Sequence, residues 1–426
     1  MHHMKTHPLG LNIVGYTDSM FGLGEAVKLN IEAARKLNIP VNIINYEKVK
    51  RHTDYRYEFK YSINLVQIAI NDLDKFFSVI DPDFFNNKYS ILFLIWESEY
   101  FPSKFERTIN LFNEIWTAST YCKSIFEKVY KGSIITVPHP VEIGLKPIQN
   151  QNSDLLFDKN RFSFLFIFSY HSSIERKNPF FLVEAFIKAF GNNEKVELVI
   201  KTVGAQQFKQ SKKKLHKSIS GQNNIRIIDL DLHKNRVNHL INDCDCYVSM
   251  HHSEGFGLTL AEAMYLGKPT IATNYSGNTE FMNENNSFLV DYELGLIENP
   301  DNNFCSKTLW GNPNMQSAVK NLKEVYNNPD LRTEKAMNAQ LYVKEKLSFY
   351  AIGSIIKNRL QHLYANFETL TVNQKQNAYL LNQLQLSKKE IAQLQRQVHR
   401  MRKNVIIRFI LFLKDTVRKF KGKMIY

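Results

Sequence analysis

Apolar residues run in short unbroken blocks through the first third of the chain. "LGLNIVGY" (9–16), "VNII" (41–44), "INLVQIAI" (63–70), "YSILFLIWE" (89–97), "EIWTAS" (114–119) and "IITVPHPV" (134–141) each predict a buried strand. Between the first two, "GLGEAVKLNIEAARKLNI" places apolar residues at helical spacing and stops near Asn38. This alternation predicts a doubly wound parallel sheet. A polar stretch, Lys146 to Asn160, then interrupts the pattern and predicts a linker. The pattern restarts with "FSFLFIFSY" (162–170), the helical "PFFLVEAFIKAF" (179–190), "VELVIKTVG" (196–204) and "IRIIDLDL" (225–232). The expected architecture is α/β: two Rossmann-like domains, 1–145 and 161–342, joined by the 146–160 linker and followed by a helical tail.

The second half holds one denser unit. "CDCYVSM" (244–250) predicts a buried strand, "LTLAEAMYLG" (258–267) a helix stopped by Gly267, and "PTIATN" (269–274) another strand. Strand, glycine loop, helix and strand imply a right-handed parallel crossover. Ligands bind beyond the carboxyl ends of such strands. Glu254 lies at that end, and Gly255 and Gly257 let backbone N–H groups approach an anion where the helix starts. Glu262 lies about a turn into the helix. One acid can touch a reacting group while the other holds a pair of hydroxyls.

The whole string "SEGFGLTLAEAMYLGKPTIATNYSGNTE" resembles the E-x7-E signature of the retaining family-4 glycosyltransferases, the glycosyl transferases group 1, which have the GT-B fold. The likeness covers roughly residues 9–364. It implies two facing Rossmann-like domains and a final helix, within 343–365, that crosses back to the first of them. It implies that Glu254 contacts the donor sugar, that Glu262 binds the nucleotide ribose, and that the N–H groups of Phe256, Gly257 and Leu258 hold sugar and phosphate. "SSIERKNP" (172–179) resembles the family's phosphate-binding segment, which assigns the leaving diphosphate to Lys177 and Arg176. Many members carry a further arginine a few residues earlier, where this chain has His171. "SMFGLGEA" (19–26) resembles the glycine-rich first loop, with Gly22 and Gly24 facing donor and acceptor. The implied reaction transfers a sugar from a nucleotide diphosphate sugar with retention, without a metal or other cofactor. The implied acceptor is a saccharide or a lipid-linked saccharide, in bacterial surface polysaccharide synthesis.

Asp18, Glu97, His139 and His251 are further candidates for acceptor or sugar contacts, with Glu99 beside Glu97. His251 and His252 are adjacent, so they point to opposite faces and do not readily chelate one ion. Asp229 and Asp231 form an Asp-x-Asp pair after a strand, the pattern of a metal-dependent transferase. The two glutamates and the Arg-Lys pair already supply a donor site, so no metal site is expected there.

Composition narrows the remaining choices. The four cysteines, Cys122, Cys244, Cys246 and Cys305, show no zinc spacing. Cys244 and Cys246 are expected on the same side of one strand, as small buried thiols suited to a reducing cytoplasm. No apolar run reaches the ~20 residues of a membrane span. The net charge is +14, yet residues 366–426 hold thirteen Lys/Arg against three Asp/Glu. Charge so localised, without a recognisable nucleic-acid module, argues against nucleic acid as a partner. In the tail, Asn377, Leu384, Ile391, Val398 and Val405 fall seven apart, with Leu380, Leu394 and Met401 in the fourth position. This predicts a coiled coil over 366–404 that joins two copies in parallel. Residues 405–426 mix large apolar residues with six Lys/Arg, which suits an amphipathic helix lying on an anionic membrane. The expected location is cytoplasmic, peripheral on the cytoplasmic face of the membrane. A rival reading is a non-catalytic GT-B subunit that binds sugar or a partner through its coiled tail.

Overall fold

The computed structural model describes residues 9–18, 22–52, 54–147, 157–297 and 308–371, with 390, 391, 393–401, 403, 405, 409 and 413 of the tail. The first domain is a parallel sheet of six strands: β1 (Leu11–Gly15), β2 (Val41–Asn45), β3 (Ile63–Gln67), β4 (Tyr89–Phe93), β5 (Glu114–Thr117) and β6 (Ser133–Thr136), in the order β2-β1-β3-β4-β5-β6. Helices α1 (Gly22–Lys36), α2 (Tyr46–Arg51), α3 (Leu73–Val79), α4 (Glu106–Ile109) and α5 (Thr120–Phe126) connect them. Strands β1, β3 and β4 are buried at every position, which is why their sequences run apolar without alternation. Asn12, Asn64, Gln67 and Ser90 are the exceptions, all buried, and Asn12 and Asn64 on neighbouring strands bond each other at 2.8 Å. The chain leaves α1 at Asn38, in the left-handed region, as the sequence pattern expects.

The second domain repeats the plan. Strands β7 (Phe162–Ser169), β8 (Val196–Val203), β9 (Ile225–Asp229), β10 (Cys246–Ser249), β11 (Thr270–Thr273) and β12 (Phe288–Val290) lie in the order β12-β11-β10-β7-β8-β9. Its helices are α6 (Ile174–Lys177), α7 (Pro179–Phe190), α8 (Lys209–Ser218), α9 (Lys234–Asp243) and α10 (Leu258–Tyr265). The strand order reverses between β7 and β10, which pair in parallel. Connections leave those two strands toward opposite faces, so a crevice opens beyond their carboxyl ends. Both motifs singled out in this domain lie at that crevice.

The sequence pattern missed an antiparallel hairpin, β13 (Tyr292–Leu296) with β14 (Leu309–Pro313). "YELGL" has no buried face, so its order comes from backbone pairing and carries no hydrophobic signature. Four helices follow among the described elements: α11 (Met315–Asn327), α12 (Pro329–Lys346), α13 (Phe349–Ala365) and the short α14 (Phe367–Thr371). Helix α13 lies against α1 of the first domain, where a Cβ on Gly353 would come within 2.4 Å of the Ala33 carbonyl. The Tyr364 hydroxyl donates to the Gly10 carbonyl at 2.7 Å, and Arg359 forks onto the buried Glu114 of β5. One apolar cluster therefore runs through both domains, from Leu11 and Ile31 to Leu260, Ile352 and Leu360.

The cysteine expectation is corrected. Cys244 ends α9 and packs in the cluster shared by the domains, while Cys246 opens β10 and faces the outer core. The strand begins two residues later than the pattern implied, so its alternation does not reach Cys244. Most of the 146–160 linker and most of the tail lie outside the described residues. Among the described residues no helix is long and apolar enough to cross a membrane.

Candidate functional site

The exit of β7 builds the cationic side of the crevice. Ser173, held at φ 59°, starts the single turn of α6, and Asn178 at φ 54° ends it before Pro179 opens α7. The short turn throws Arg176 and Lys177 toward the exit of β10. Arg176 is buried; its Nη1 donates to the Ser253 carbonyl at 2.7 Å and lies 3.1 Å from Glu254 Oε2. Lys177 Nζ bonds the other oxygen, Glu254 Oε1. Glu97, from the first domain, reaches Arg176 Nη2 at 3.6 Å. Two acids and two cations thus meet across the domain boundary.

Glu254 is only 8% exposed. Burial alone would raise its carboxyl, but Lys177 and Arg176 outweigh that and hold it down at about 2. Burial lowers the Lys177 ammonium, with Glu254 offsetting only part of the effect. The backbone of Glu254 is also fixed, its N–H donating to Ser276 Oγ at 2.7 Å and its carbonyl accepting from Gly277 at 2.8 Å. Both glycines of the turn are required. A Cβ on Gly255 would fall 2.0 Å from Ile95 Cγ2, and Gly257 sits at φ +88° where α10 begins. The N–H groups of Phe256 and Gly257 find no acceptor among the described residues. With the unpaired first turn of α10 they can receive an anion.

Glu262 is 3% exposed on α10, not the surface residue that an amphipathic reading of that helix allows. The helix is buried nearly all round, because it is wedged between α9, α12 and the sheet. Lys234, at the start of α9, takes Glu262 Oε1, while Oε2 is buried without a hydrogen-bond partner among the described residues. A cavity of about 270 Å³ opens beside it, lined by Glu25, Lys146, Lys234, Asn238, Glu262 and the segment 140–144. Asn238 Oδ1 is a second buried oxygen without a partner among the described residues. Lys201 on β8 is 2% exposed; burial lowers its ammonium to about 8, against the pull of Asp231. Lys234, Asn238 and Lys201 carry no recognisable motif, and sequence reasoning missed them.

The remaining candidates separate. His139 is sandwiched, stacking on Phe93 at 5.5 Å and meeting Phe256 edge-on at 5.2 Å. Burial lowers its pKa to about 4, so it stands neutral at the seam between the domains. His251 is fully buried, facing Ser249 Oγ and Asn278 Oδ1 at 3.0 Å each, close enough to Glu254 and Lys177 for their charges to act on its ring. His252 points the opposite way and stacks on Trp310 at 4.1 Å. Gly22 opens α1, where a Cβ would meet no atom of the described residues within 4 Å, and Gly24 is buried two residues on. Asp18 is exposed and lies 3.6 Å from Lys48. Residues 19–21 of the glycine-rich loop lie outside the described residues. The Asp-x-Asp pair is split: Asp229 is taken up by Thr202, Lys212 and His216, while Asp231 is exposed near Lys201. Among the described residues no three His, Cys, Asp or Glu gather as a metal site.

Known structures share this architecture at low sequence identity. HepE of Anabaena, solved with UDP and glucose, aligns at a TM-score of 0.58 and 15% identity over 84% of this chain and 100% of that one. Sucrose-phosphate synthase of Thermosynechococcus elongatus gives 0.63 at 12% identity, over 84% and 100%. TarM of S. aureus (a point mutant solved with fondaparinux, alpha-GlcNAc-glycerol and UDP) gives 0.52 at 18%, over 70% and 55%. No curated protein matches the sequence. The chain has the GT-B fold, and its residues 153–342 match the model of the family described as glycosyl transferases group 1.

Proposed function

We propose that the chain is a retaining glycosyltransferase, independent of metal, that moves a sugar from a nucleotide diphosphate sugar to a saccharide or lipid-linked acceptor. The observation that carries this reading is the unsatisfied carboxylate oxygen of Glu262, buried beside an interdomain cavity, around the turn from Glu254, Arg176 and Lys177. A buried acceptor without a donor is costly, and a ribose hydroxyl would satisfy it. The diphosphate would then lie over the free amides of Phe256 and Gly257 and beside Arg176 and Lys177. These two cations stabilise charge as the bond from C1 to the phosphate oxygen breaks. Glu254 accepts hydrogen bonds from the donor sugar. The acceptor oxygen bonds C1 on the face the phosphate leaves, and its proton passes to the departing phosphate. Configuration is therefore retained. Glu97 and the imidazole of His139 stand on the first-domain wall, where the acceptor enters.

The test is a panel of nucleotide sugars, starting with UDP-sugars because HepE and TarM were solved with UDP. Binding followed by calorimetry and transfer followed by NMR of the anomeric centre should select one donor, in excess chelator as well as without it. Loss of transfer on chelation sinks the metal-independent part. Glu262→Ala should weaken nucleotide binding by about 1–3 kcal/mol with little further loss in turnover. Equal binding by this variant would remove the ribose role.

We further propose that the tail joins two copies and rests on an anionic membrane, at the cytoplasmic face where a lipid-linked acceptor is met. In support, Ile391, Leu394, Val398, Met401 and Val405 lie on helix and are all exposed in the single chain. Their 3–4 spacing is that of a coiled-coil seam. Full-length protein should float with anionic liposomes and sediment as a dimer, whereas a chain stopped at Arg400 should not float. Equal flotation removes the membrane role, and a full-length monomer removes the coil.

A further inference from the structure

The peptide linking Gly255 to Phe256 belongs to the second domain but is gripped by the first. Ser119 Oγ, at the start of α5, donates to the Gly255 carbonyl at 2.7 Å, and Cys122 Sγ lies 3.3 Å from the same oxygen. Ile95, at the exit of β4, leaves no space for a side chain at Gly255. From the other side, a Cβ on Gly277 would meet the Gly255 carbonyl at 2.2 Å. The carbonyl is thus turned toward α5 with no room to swing. In a planar trans peptide the N–H points opposite to the carbonyl. The Phe256 N–H is therefore aimed away from α5, and it has no acceptor among the described residues.

A second set of bonds on the same flank holds the domains together. Glu280, the last residue of the "SGNTE" string, accepts from the Thr120 N–H at 2.7 Å and from Thr120 Oγ1 at 2.9 Å. The Tyr275 hydroxyl donates to Glu99 Oε1 at 3.0 Å. Nothing in the proposed transfer chemistry uses Glu280, Thr120 or Ser119.

We propose that Ser119 and Thr120 of the first domain, latched by Glu280 of the second, set the amide turn that receives the donor phosphate. This rests on the transferase reading. Glu280 and Ser119 are positioning residues: the donor can dock on the second domain alone, but its reacting end is held correctly only while the cleft is shut. Closure thus couples acceptor-domain docking to the alignment of the leaving group.

Full-length Glu280→Ala, Ser119→Ala and Glu280→Gln proteins test this, the last keeping a carbonyl acceptor for Thr120. Without ligand, small-angle scattering should show a larger radius of gyration for both alanine variants and a value near wild type for Glu280→Gln. With donor, turnover of the alanine variants should fall about tenfold or more while the UDP dissociation constant stays within about threefold. Glu280→Gln should recover most of the turnover. Unchanged scattering and turnover in both alanine variants overturn the latch. So does a loss of UDP affinity as large as the loss of turnover. If the wild-type protein transfers no sugar from any donor, the transferase reading fails, and the ligand-free scattering still decides the latch.

Discussion

Glu254→Ala is expected to lower turnover by about 10²-fold or more, roughly 2.7 kcal/mol of transition-state stabilisation, while UDP binds at least as tightly as before. The second half of that statement follows from the geometry. In the ligand-free site Glu254 is the counter-ion of both Arg176 and Lys177. An entering diphosphate competes with it for the same cations. Removing the carboxylate removes the competitor but also the hydrogen bonds to the donor sugar, so binding and chemistry move apart. Lys177→Ala should behave differently, losing turnover and diphosphate affinity together, because the cation serves both states. Steady-state kinetics with UDP inhibition distinguishes the two patterns; unchanged turnover in Glu254→Ala would show the assignment to be wrong.

The same pair sets the pH dependence. Glu254 is held at about 2, so it stays ionised through the whole working range and cannot cause an acid limb. Lys177, lowered by burial, is expected to act while protonated, so transfer should fall as pH rises through its depressed pKa, which a pH–rate profile checks. For stability the sign is the other one. A carboxyl with a depressed folded pKa contributes stability fully present above its ordinary value of 4.5, and lost as pH falls from there toward about 2.

The candidate site was legible where its residues sit at strand exits, because an exit, its turn and the next helix are contiguous in sequence. Glu254, Gly255, Gly257 and Glu262 come from one such unit, and Arg176 with Lys177 from another. What the sequence could not show is how the units meet. Lys234 finds Glu262 across 28 residues, Thr120 finds Glu280 across 160, and Tyr275 finds Glu99 across 176. These pairings depend on how helices and domains dock, and no periodicity encodes docking. His251 illustrates the same limit. It was a candidate for an acceptor or sugar contact, and no sign in the sequence showed that Asn278, on the turn after β11, would face its ring. The fold was more legible than the site because apolar blocks mark buried parallel strands directly. Strand β13, with no buried face, left no such mark.

The anchoring of α13 leads to the largest expected effect on stability. Arg359→Ala should destabilise the folded chain by about 3 kcal/mol, the low end for breaking a buried ion pair. Glu114 is fully buried at the start of β5, and Arg359, about one-fifth exposed, clamps both of its oxygens. Tyr89 donates to Glu114 Oε2 at 3.1 Å and Trp116 to Oε1 at 2.6 Å, so two hydrogen bonds survive the substitution. They cannot replace the lost charge, and an uncompensated carboxylate is left inside the first domain. The pair stands where the chain returns from the second domain, so the loss should loosen α13 from α1 as well. Denaturant titration followed by fluorescence reads this locally, because the Trp116 indole donates to the carboxylate itself. The double variant Glu114→Leu with Arg359→Leu separates the explanations. If the cost lies in the stranded charge, the double variant is more stable than Arg359→Ala, since a packed apolar pair carries no desolvation penalty. If instead it is no better, the anchor depends on the length and shape of the arginine arm, and the electrostatic account of the return helix fails.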